Sequence, residues 1–171
     1  MGITSYQQVI AAALNWDKIL VTGVQRSGTT IAAYMLAKAL GYKFVDENEF
    51  HAHNIEEFNS VMNTDEKCVI QCPALLHYIK RFDSSALVVV MDRDKEDVIA
   101  SMNKHNWFND HGLFEYRHYS EDPLTDPSQI IDIKLNYAEN IKHMKLRYED
   151  LKESEYFIYD RNNWQIKQIQ N

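Results

Sequence analysis

Apolar residues along this chain follow two patterns, short continuous runs and longer helix-spaced stretches. Three runs are rich in branched side chains and are five or six residues long, as buried strands are. They cover residues 18–22 (KILVT), 67–71 (KCVIQ) and 86–91 (ALVVVM). We predict a fourth strand at residues 145–148 (KLRY), which follow a helical pattern.

Helical patterns lie between these runs. Residues 5–15 (SYQQVIAAALN) are amphipathic, and residues 29–40 (TTIAAYMLAKAL) are strong helix formers followed by a glycine. Two further helices are predicted, one over residues 96–103 and one from residue 126, where Asp-Pro supplies a start signal, to about residue 143. Strand–helix alternation with continuously apolar strands indicates a parallel sheet covered on both faces, an α/β fold.

The composition is that of one ordinary globular domain, which we place at residues 1–171. The 171 residues are 45% hydrophobic and 25% charged, with a formal net charge of −7. This charge argues against a nucleic-acid partner, and no apolar run approaches the ~18 residues of a membrane span. Cys68 and Cys72 are too few for a disulfide framework and lack zinc spacing, so we expect reduced thiols, no metal site and a cytoplasmic location.

The first chemical motif follows the run at residues 18–22. Residues 23–30 read GVQRSGTT, which matches the phosphate-loop pattern G-x-x-x-x-G-K-[ST] at Gly23, Gly28 and Thr30. The position of the lysine is occupied by Thr29. ATP chemistry needs that lysine at the β- and γ-phosphates, so the ligand is expected to be phosphate-like but not necessarily a Mg²⁺-bound triphosphate.

Such a loop can bind an anion without its lysine. A strand that ends in a Gly-rich turn and opens a helix aims several backbone N–H groups at one point. Ser27, Thr29 and Thr30 add hydroxyl donors, and Arg26 adds a planar cation within the loop. The alternative is a plain strand-to-helix turn, in which Gly, Ser and Thr are only turn and cap residues.

A second group of candidate residues follows the run at residues 86–91. Arg93 lies just beyond the carboxyl end of the predicted strand, where open α/β sheets bind ligands. Ser101 comes eight residues later, about two helical turns on, so both side chains can bind one phosphate. The alternative is that Arg93 pairs with Asp94 or Asp97 and that Ser101 is simply a small helical residue.

Taken in order, GVQRSGTT, VVVMDRDKEDVIASM and LRYEDLKES resemble the motif series of the sulfotransferases, over residues 19–151. The resemblance implies a three-layer P-loop NTPase-like fold with a central parallel sheet. It also implies transfer of a sulfuryl group from 3′-phosphoadenosine 5′-phosphosulfate (PAPS) to a hydroxyl or amine, with no metal required. The acceptor, a small molecule or a peptide, is not specified by these motifs.

The resemblance also implies the roles of the motif residues. Five loop residues would hold the 5′-phosphosulfate, namely Arg26, Ser27, Gly28, Thr29 and Thr30. Arg93 and Ser101 would hold the 3′-phosphate, and Tyr148 would lie near the nucleotide end. The alternative for Tyr148 is an aromatic residue at a strand end that packs in the core. Arg26 would also stabilise the leaving phosphate, which would explain why the loop needs no lysine.

The catalytic base is less clearly marked. Many cytosolic members of the family use a histidine after the second strand, but here the matching segment is VIQCP. In the tyrosylprotein branch a glutamate follows the first helix, and Glu47 falls at that distance from Arg26. The nearby Asp46 and Glu49 would raise the pKa of its carboxyl toward that of a useful base. A solvated acidic loop is the alternative for Glu47, and His51 and His53 are rival candidates.

Four further expectations concern the missing R-K-G block, residues 104–128, the C-terminal residues and the oligomeric state. The family's R-K-G block is missing, so Lys95 or Arg161 would have to replace its cation unless Arg93 and Ser101 suffice. Residues 104–128 form an aromatic- and histidine-rich loop that would contact the acceptor or cover it as a lid. Its apolar floor would be Trp107, Phe108, Phe114, Tyr116 and Tyr119, with His105, His111 and His118 at the edge. The alternative is a loop packed only by its own aromatic residues. A β-hairpin is predicted around residues 161–163, and an oligomer that completes the acceptor pocket is possible.

Two alternatives to the sulfotransferase remain open. One is a P-loop phosphotransferase that uses ATP and Mg²⁺, and the other is a nucleotide-binding relative that has lost its base. Magnesium dependence would distinguish the first, and turnover of a Glu47→Gln variant would distinguish the second.

Overall fold

A computed structural model describes residues 3–122, 124–152 and 157. Within this part of the chain six parallel strands form one sheet, in the order β1–β6–β5–β2–β4–β3. The strands are β1 (Ile3–Thr4), β2 (Lys18–Gly23), β3 (Lys43–Val45), β4 (Cys68–Gln71), β5 (Leu87–Asp92) and β6 (Met144–Arg147). Strand β2 lies between β4 and β5, so the loop that follows it opens at the middle of the sheet.

Helices cover both faces of this sheet. They are α1 (Tyr6–Ala13), α2 (Thr29–Leu40), α3 (Ile55–Met62), α4 (Leu76–Ile79), α5 (Lys95–Lys104), α6 (Leu113–Glu115), α7 (Pro127–Ala138) and α8 (Tyr148–Leu151). Short 3₁₀ or π turns are Pro73–Leu75, Lys80–Phe82, Phe108–Gly112 and Tyr116–His118. None of the helices within the described ranges is long and apolar enough to cross a lipid bilayer.

The core has two main layers, one on each face, because side chains alternate along each strand. Leu20 of β2 packs on the side of α3, α4 and α7, in one cluster with Phe58 and Leu76. Ile19 and Val21 point the other way and pack with α1 and α2. All six residues of β2 are buried, which explains the unbroken apolar run in the sequence.

The predicted α/β class is confirmed, and the four predicted strands are β2, β4, β5 and β6 within one residue at either end. Strands β1 and β3 were missed because two and three residues give no readable period. Helix α7 ends at Ala138 rather than near residue 143. The chain then forms a turn, in which the backbone amides of Glu139, Asn140 and Ile141 donate hydrogen bonds to carbonyls of α7.

The prediction of an irregular loop at residues 104–128 was wrong. This stretch contains the π turn Phe108–Gly112, helix α6 and the 3₁₀ turn Tyr116–His118. Their short lengths and frequent polar residues hide any period in the sequence. The predicted hairpin around residues 161–163 lies outside the described residues, as does Arg161.

Candidate functional site

The loop between β2 and α2 has the backbone of an anion cradle. Gly23, Arg26 and Gly28 all have positive φ, at 136°, 69° and 95°. Arg26 is thus a non-glycine residue held in the left-handed region, which is uncommon and costs free energy. The Ser27 amide and hydroxyl both donate to the Val24 carbonyl, at 3.2 and 2.6 Å, and so close the turn.

The first amides of α2 face this turn. Helix α2 begins at Thr29, and its N-cap residue Gly28 offers no side chain to accept from them. The amides at the start of a helix have no partner within the helix, so they attract an anion together with the helix dipole. This geometry fits the anion-binding interpretation better than that of a plain turn.

Thr29, at the position of the missing lysine, is linked to a neighbouring strand. Its buried hydroxyl accepts a 3.2 Å hydrogen bond from Gln71 Nε2 at the end of β4. A neutral amide therefore stands at the end of the strand beside β2. The loop supplies no lysine and β4 supplies no carboxylate, the two groups that a Mg²⁺-nucleotide site of this type uses.

Two predicted residues meet the loop from the β5 side. Ser101 Oγ accepts a 3.0 Å hydrogen bond from Arg26 Nε. Arg93 donates from one terminal nitrogen to the Arg26 carbonyl at 3.0 Å. Arg93 Nε is buried and has no hydrogen-bond partner among the described residues. Its contact with Asp97, the alternative partner, is long at 3.9 Å, and the Asp97 side chain is mostly exposed.

Tyr148, at the start of α8, joins the same place. Its ring lies against Gly28, where an added Cβ would stand 2.4 Å from Cδ2 of the ring. The Arg93 guanidinium carbon is 4.4 Å from the ring centroid, a cation–π distance. The structure thus brings together residues from four elements, and we call this group the donor cradle: Arg26, Gly28, Arg93, Ser101 and Tyr148.

Glu47 lies on the other side of the loop. Its amide donates to Gln71 Oε1 at 3.2 Å, and its carboxylate lies 3.5 Å from the Ala74 amide. Burial raises the pKa of this carboxyl to about 7. The charges of Asp46 and Glu115 add to the rise, whereas hydrogen bonding to the carboxyl from the Ala74 amide and the Gln71 side chain opposes it. The pKa rises as the sequence analysis expected, but burial is its main cause rather than acidic crowding.

The rival bases stand in less favourable surroundings. His51 is exposed and its Nδ1 lies 2.7 Å from Glu57 Oε2, on the surface. His53 is half-buried, and burial lowers the pKa of its ring. Cys72, in the segment where a family histidine would stand, is wholly enclosed, so burial and the charge of Glu47 raise the pKa of its thiol.

A buried polar group that the sequence analysis missed lies beside Glu47. Lys134 of α7 is fully buried and forms an ion pair with Glu115, which is also buried. Gln25 of the phosphate loop bonds to both. The available signal was a lysine on the apolar face of a helix, since Ile130, Ile131, Lys134 and Ala138 all point inward.

The aromatic residues of the 104–128 stretch do not form one floor, so that prediction was wrong. Trp107 packs under the loop with Val24 and Met102. The ring of His118 instead stacks on His77 at 3.9 Å, while Phe114 is half exposed. Tyr119 lies edge-on to His77 and to Tyr137. Glu115, which lies between Trp107 and His118 in the sequence, is buried.

Among the described residues, no group of three or more His, Cys, Asp or Glu side chains is arranged to hold a metal ion. Cys68 and Cys72 are both buried and unpaired.

No protein-family model and no curated protein matches this chain. Solved structures do match. A shikimate kinase from Acinetobacter baumannii, in complex with shikimate, is similar over 80% of this chain and 86% of that chain, with a TM-score of 0.53 and 16% identity. The YorR protein from Bacillus subtilis, in complex with phosphorylated GDP, is similar over 89% of this chain and 94% of that chain, with a TM-score of 0.49 and 14% identity.

The likeness to shikimate kinase establishes the fold. The central parallel sheet, the flanking helices and the loop after β2 form a P-loop-type α/β fold. Neither matched protein is described as a sulfotransferase, and at this identity the likeness reaches no further than the fold.

Proposed function

We propose that this protein is a P-loop transferase that moves a sulfuryl group from PAPS to a hydroxyl or amine acceptor. The observation that carries the proposal is the placement of Arg93. Its guanidinium is held by the Arg26 carbonyl and the Tyr148 ring, and its buried Nε has no partner among the described residues. The Arg93 side chain is 22% exposed, and its second terminal nitrogen lies 3.9 Å from Asp97, too far for a hydrogen bond. That nitrogen can bind a second anion beside the phosphate loop, and PAPS carries such an anion as its 3′-phosphate.

The donor would bind through two sets of contacts. The loop amides around Gly28, with the hydroxyls of Ser27, Thr29 and Thr30, would hold the 5′-phosphosulfate. Arg93 and Ser101 would hold the 3′-phosphate, since the Ser101 oxygen already accepts from Arg26 and keeps its own hydrogen to donate. Arg26 would lie between the two anions and stabilise the leaving phosphate.

Glu47 would act as the general base. A carboxyl with a pKa of about 7 is partly ionised at neutral pH and still basic enough to take a proton. It would remove the proton from the acceptor hydroxyl or amine as that atom attacks sulfur. The bond from sulfur to the bridging oxygen breaks, and 3′-phosphoadenosine 5′-phosphate (PAP) leaves with the electron pair.

A P-loop phosphotransferase is the second candidate, and the findings agree with it in two respects. The matched shikimate kinase has the same fold, and transfer to a small hydroxylated molecule would suit this chain as well. Asp92 ends β5, the other neighbour of β2, and offers a carboxylate for Mg²⁺. The lack of a lysine in the loop argues against this candidate. The third candidate is a nucleotide-binding protein that has lost its catalytic base and transfers no group.

The setting of the reaction follows from the same features. We expect the protein to work in the reducing cytoplasm, where Cys68 and Cys72 stay thiols. The acceptor would be a small molecule or a peptide, with no metal needed for transfer. A second copy of the chain would be required only if it completes the acceptor pocket.

Labelled donors provide the test. The protein is incubated with ³⁵S-labelled PAPS or with γ-³²P-labelled ATP and Mg²⁺, with phenolic, sugar and amine acceptors, and product label is counted. The proposal predicts ³⁵S transfer that resists EDTA and falls about 10²–10⁴-fold in Glu47→Gln. Transfer of ³²P that is lost with EDTA and in Asp92→Asn would instead establish the phosphotransferase.

A further inference from the structure

The buried ion pair of Lys134 and Glu115 lies directly behind the phosphate loop. Lys134 is 0% exposed and Glu115 is 1% exposed. The lysine Nζ donates to three oxygens, the Glu115 carboxylate, the Gln25 side chain at 2.6 Å and the Pro73 carbonyl at 3.2 Å. Every proton of the ammonium group is therefore used, as the burial of a charge requires.

Gln25 closes this arrangement into a ring of three side chains. Its Oε1 accepts from Lys134, and its Nε2 donates to Glu115 Oε1 at 2.8 Å. Gln25 belongs to the phosphate loop and precedes Arg26, whose carbonyl is held by Arg93. The loop is thus held from both sides, through a side chain on one and a carbonyl on the other.

Stability alone does not explain such a pair. A buried ion pair loses much of its attraction to desolvation, and apolar residues of similar volume often stabilise a fold as well or better. The second oxygen of Glu115, Oε2, is buried without a partner among the described residues, which adds to the cost. The pair does orient Gln25, because its two charged groups hold the plane of the Gln25 side-chain amide.

The position of Glu115 gives this contact a further consequence. Glu115 ends helix α6, whose other two residues, Leu113 and Phe114, are 45% and 50% exposed. We propose that Glu115 and Lys134 are positioning residues, which hold the phosphate loop through Gln25 in the conformation that binds a nucleotide. The proposal rests on the proposed function only in that the loop binds a nucleotide, whichever donor it is.

The test separates positioning from ordinary structural support. Gln25→Leu removes both hydrogen bonds to the loop and leaves the ion pair, while the double variant Glu115→Gln/Lys134→Met removes the pair itself. Lys18→Met is the matched control. Like Lys134, Lys18 is a buried lysine, and it donates to the Thr64 carbonyl and hydroxyl at 2.9 and 3.0 Å. It lies at the start of β2, at the opposite end of that strand from the phosphate loop.

Two measurements are made on each variant. Calorimetry gives the affinity for PAP and for ATP with Mg²⁺, and hydrogen exchange of the ligand-free protein gives the protection of amides 24–30. We expect Gln25→Leu to weaken nucleotide binding about tenfold and to speed exchange in the loop. The melting temperature should also fall, because the buried ammonium of Lys134 loses one of its three acceptors. In the double variant, exchange of the loop amides should be as fast as in Gln25→Leu. Lys18→Met should lower the melting temperature but leave both the nucleotide affinity and the loop exchange unchanged.

The outcomes divide cleanly. Unchanged loop exchange in Gln25→Leu overturns the positioning role, whatever the nucleotide result. If the wild type binds neither nucleotide, the proposed function fails, and the exchange comparison still decides the inference. Equal loosening of the loop in Lys18→Met would reduce the pair to general structural support and overturn it also.

Discussion

The two sides of the phosphate loop are built in different ways. The donor cradle consists of residues from the segments after β2, β5 and β6 and from helix α5, which meet at the carboxyl edge of the sheet. The other side, which we call the acceptor side, consists of Glu47, Glu115, Lys134 and His77, drawn from a loop and three helices. The cradle depends on backbone geometry and cations, whereas the acceptor side depends on buried titratable groups.

This difference sets how each side responds to change. In the cradle a substitution acts through steric fit or lost charge, and pH near neutrality changes little. On the acceptor side burial shifts the pKa of Glu47 upward and that of His77 downward, so pH itself is a variable. Four variants sharpen or break this contrast.

The largest effect is expected from Gly28→Ala. The new Cβ would lie 2.4 Å from the Tyr148 ring, at a φ of 95°. Left-handed strain of roughly 1–2 kcal/mol adds to about 1–3 kcal/mol for displacing the ring. Urea denaturation measures the loss, with Gly41→Ala as control, since its φ is 68° with no atom within 4 Å of the new Cβ. Equal losses in the two variants would mean that Tyr148 does not pack on the loop.

Arg93→Ala should weaken PAP binding about 100-fold. Loss of two hydrogen bonds to a charged phosphate removes about 3 kcal/mol, and the Arg26 carbonyl loses its donor as well. Calorimetric titration measures the effect. Lys95→Ala is the matched control, because this nearby cation is already paired with Asp132 at 2.7 Å. Similar losses in both would indicate general electrostatic attraction rather than a phosphate contact.

Glu47→Gln should remove the contribution of residue 47 to the pH dependence of stability. The folded pKa of about 7 lies above the ordinary 4.5, so wild-type stability falls as pH rises between these values. The amide mimics the protonated form, so the variant should gain on the order of 1–3 kcal/mol over wild type at pH 8 and little at pH 4. Urea denaturation at both pH values checks this, with the exposed Glu56→Gln as control. No gain at pH 8 would place Glu47 in water.

The smallest effect is expected from His77→Phe. Burial, with the charge of His118 and others, lowers the pKa of His77 to about 4, so wild-type stability is present above pH 6.5 and is lost as pH falls toward 4. Phenylalanine keeps a ring to stack on His118 and does not titrate. At acidic pH the variant should therefore be about 1 kcal/mol more stable than the wild type, and its acid unfolding should occur at lower pH. The expected gain is kept small because the His77 ring is partly exposed to solvent. The exposed His105→Phe should show no comparable shift.

The donor cradle was largely predictable from the sequence because its geometry is local. Glycine spacing and a following helix indicated the loop, and the eight-residue interval placed Arg93 and Ser101 on one face of the structure after β5. The hydrogen bonds of Arg93 and Ser101 to Arg26 could not be predicted, because side-chain hydrogen bonds leave no periodic pattern in the sequence.

The acceptor side was predictable only in part. Counting from Arg26 identified Glu47, but burial, the main cause of its raised pKa, depends on Ala74 and other residues that pack around it. Lys134 and Gln25 are 109 residues apart, and such a contact follows from packing of α7 rather than from any motif. The short strand β3 was missed for a similar reason, because its pairing with β4 defines it more than its composition does.

The most direct test of the central claim is a calorimetric titration of the wild-type protein with PAP and with ATP in the presence and absence of Mg²⁺. The account predicts that PAP binds in preference to ATP, that Mg²⁺ makes no difference, and that Arg93→Ala removes most of the preference. Tighter binding of ATP with Mg²⁺ than of PAP would contradict it and identify the cradle as that of a phosphotransferase.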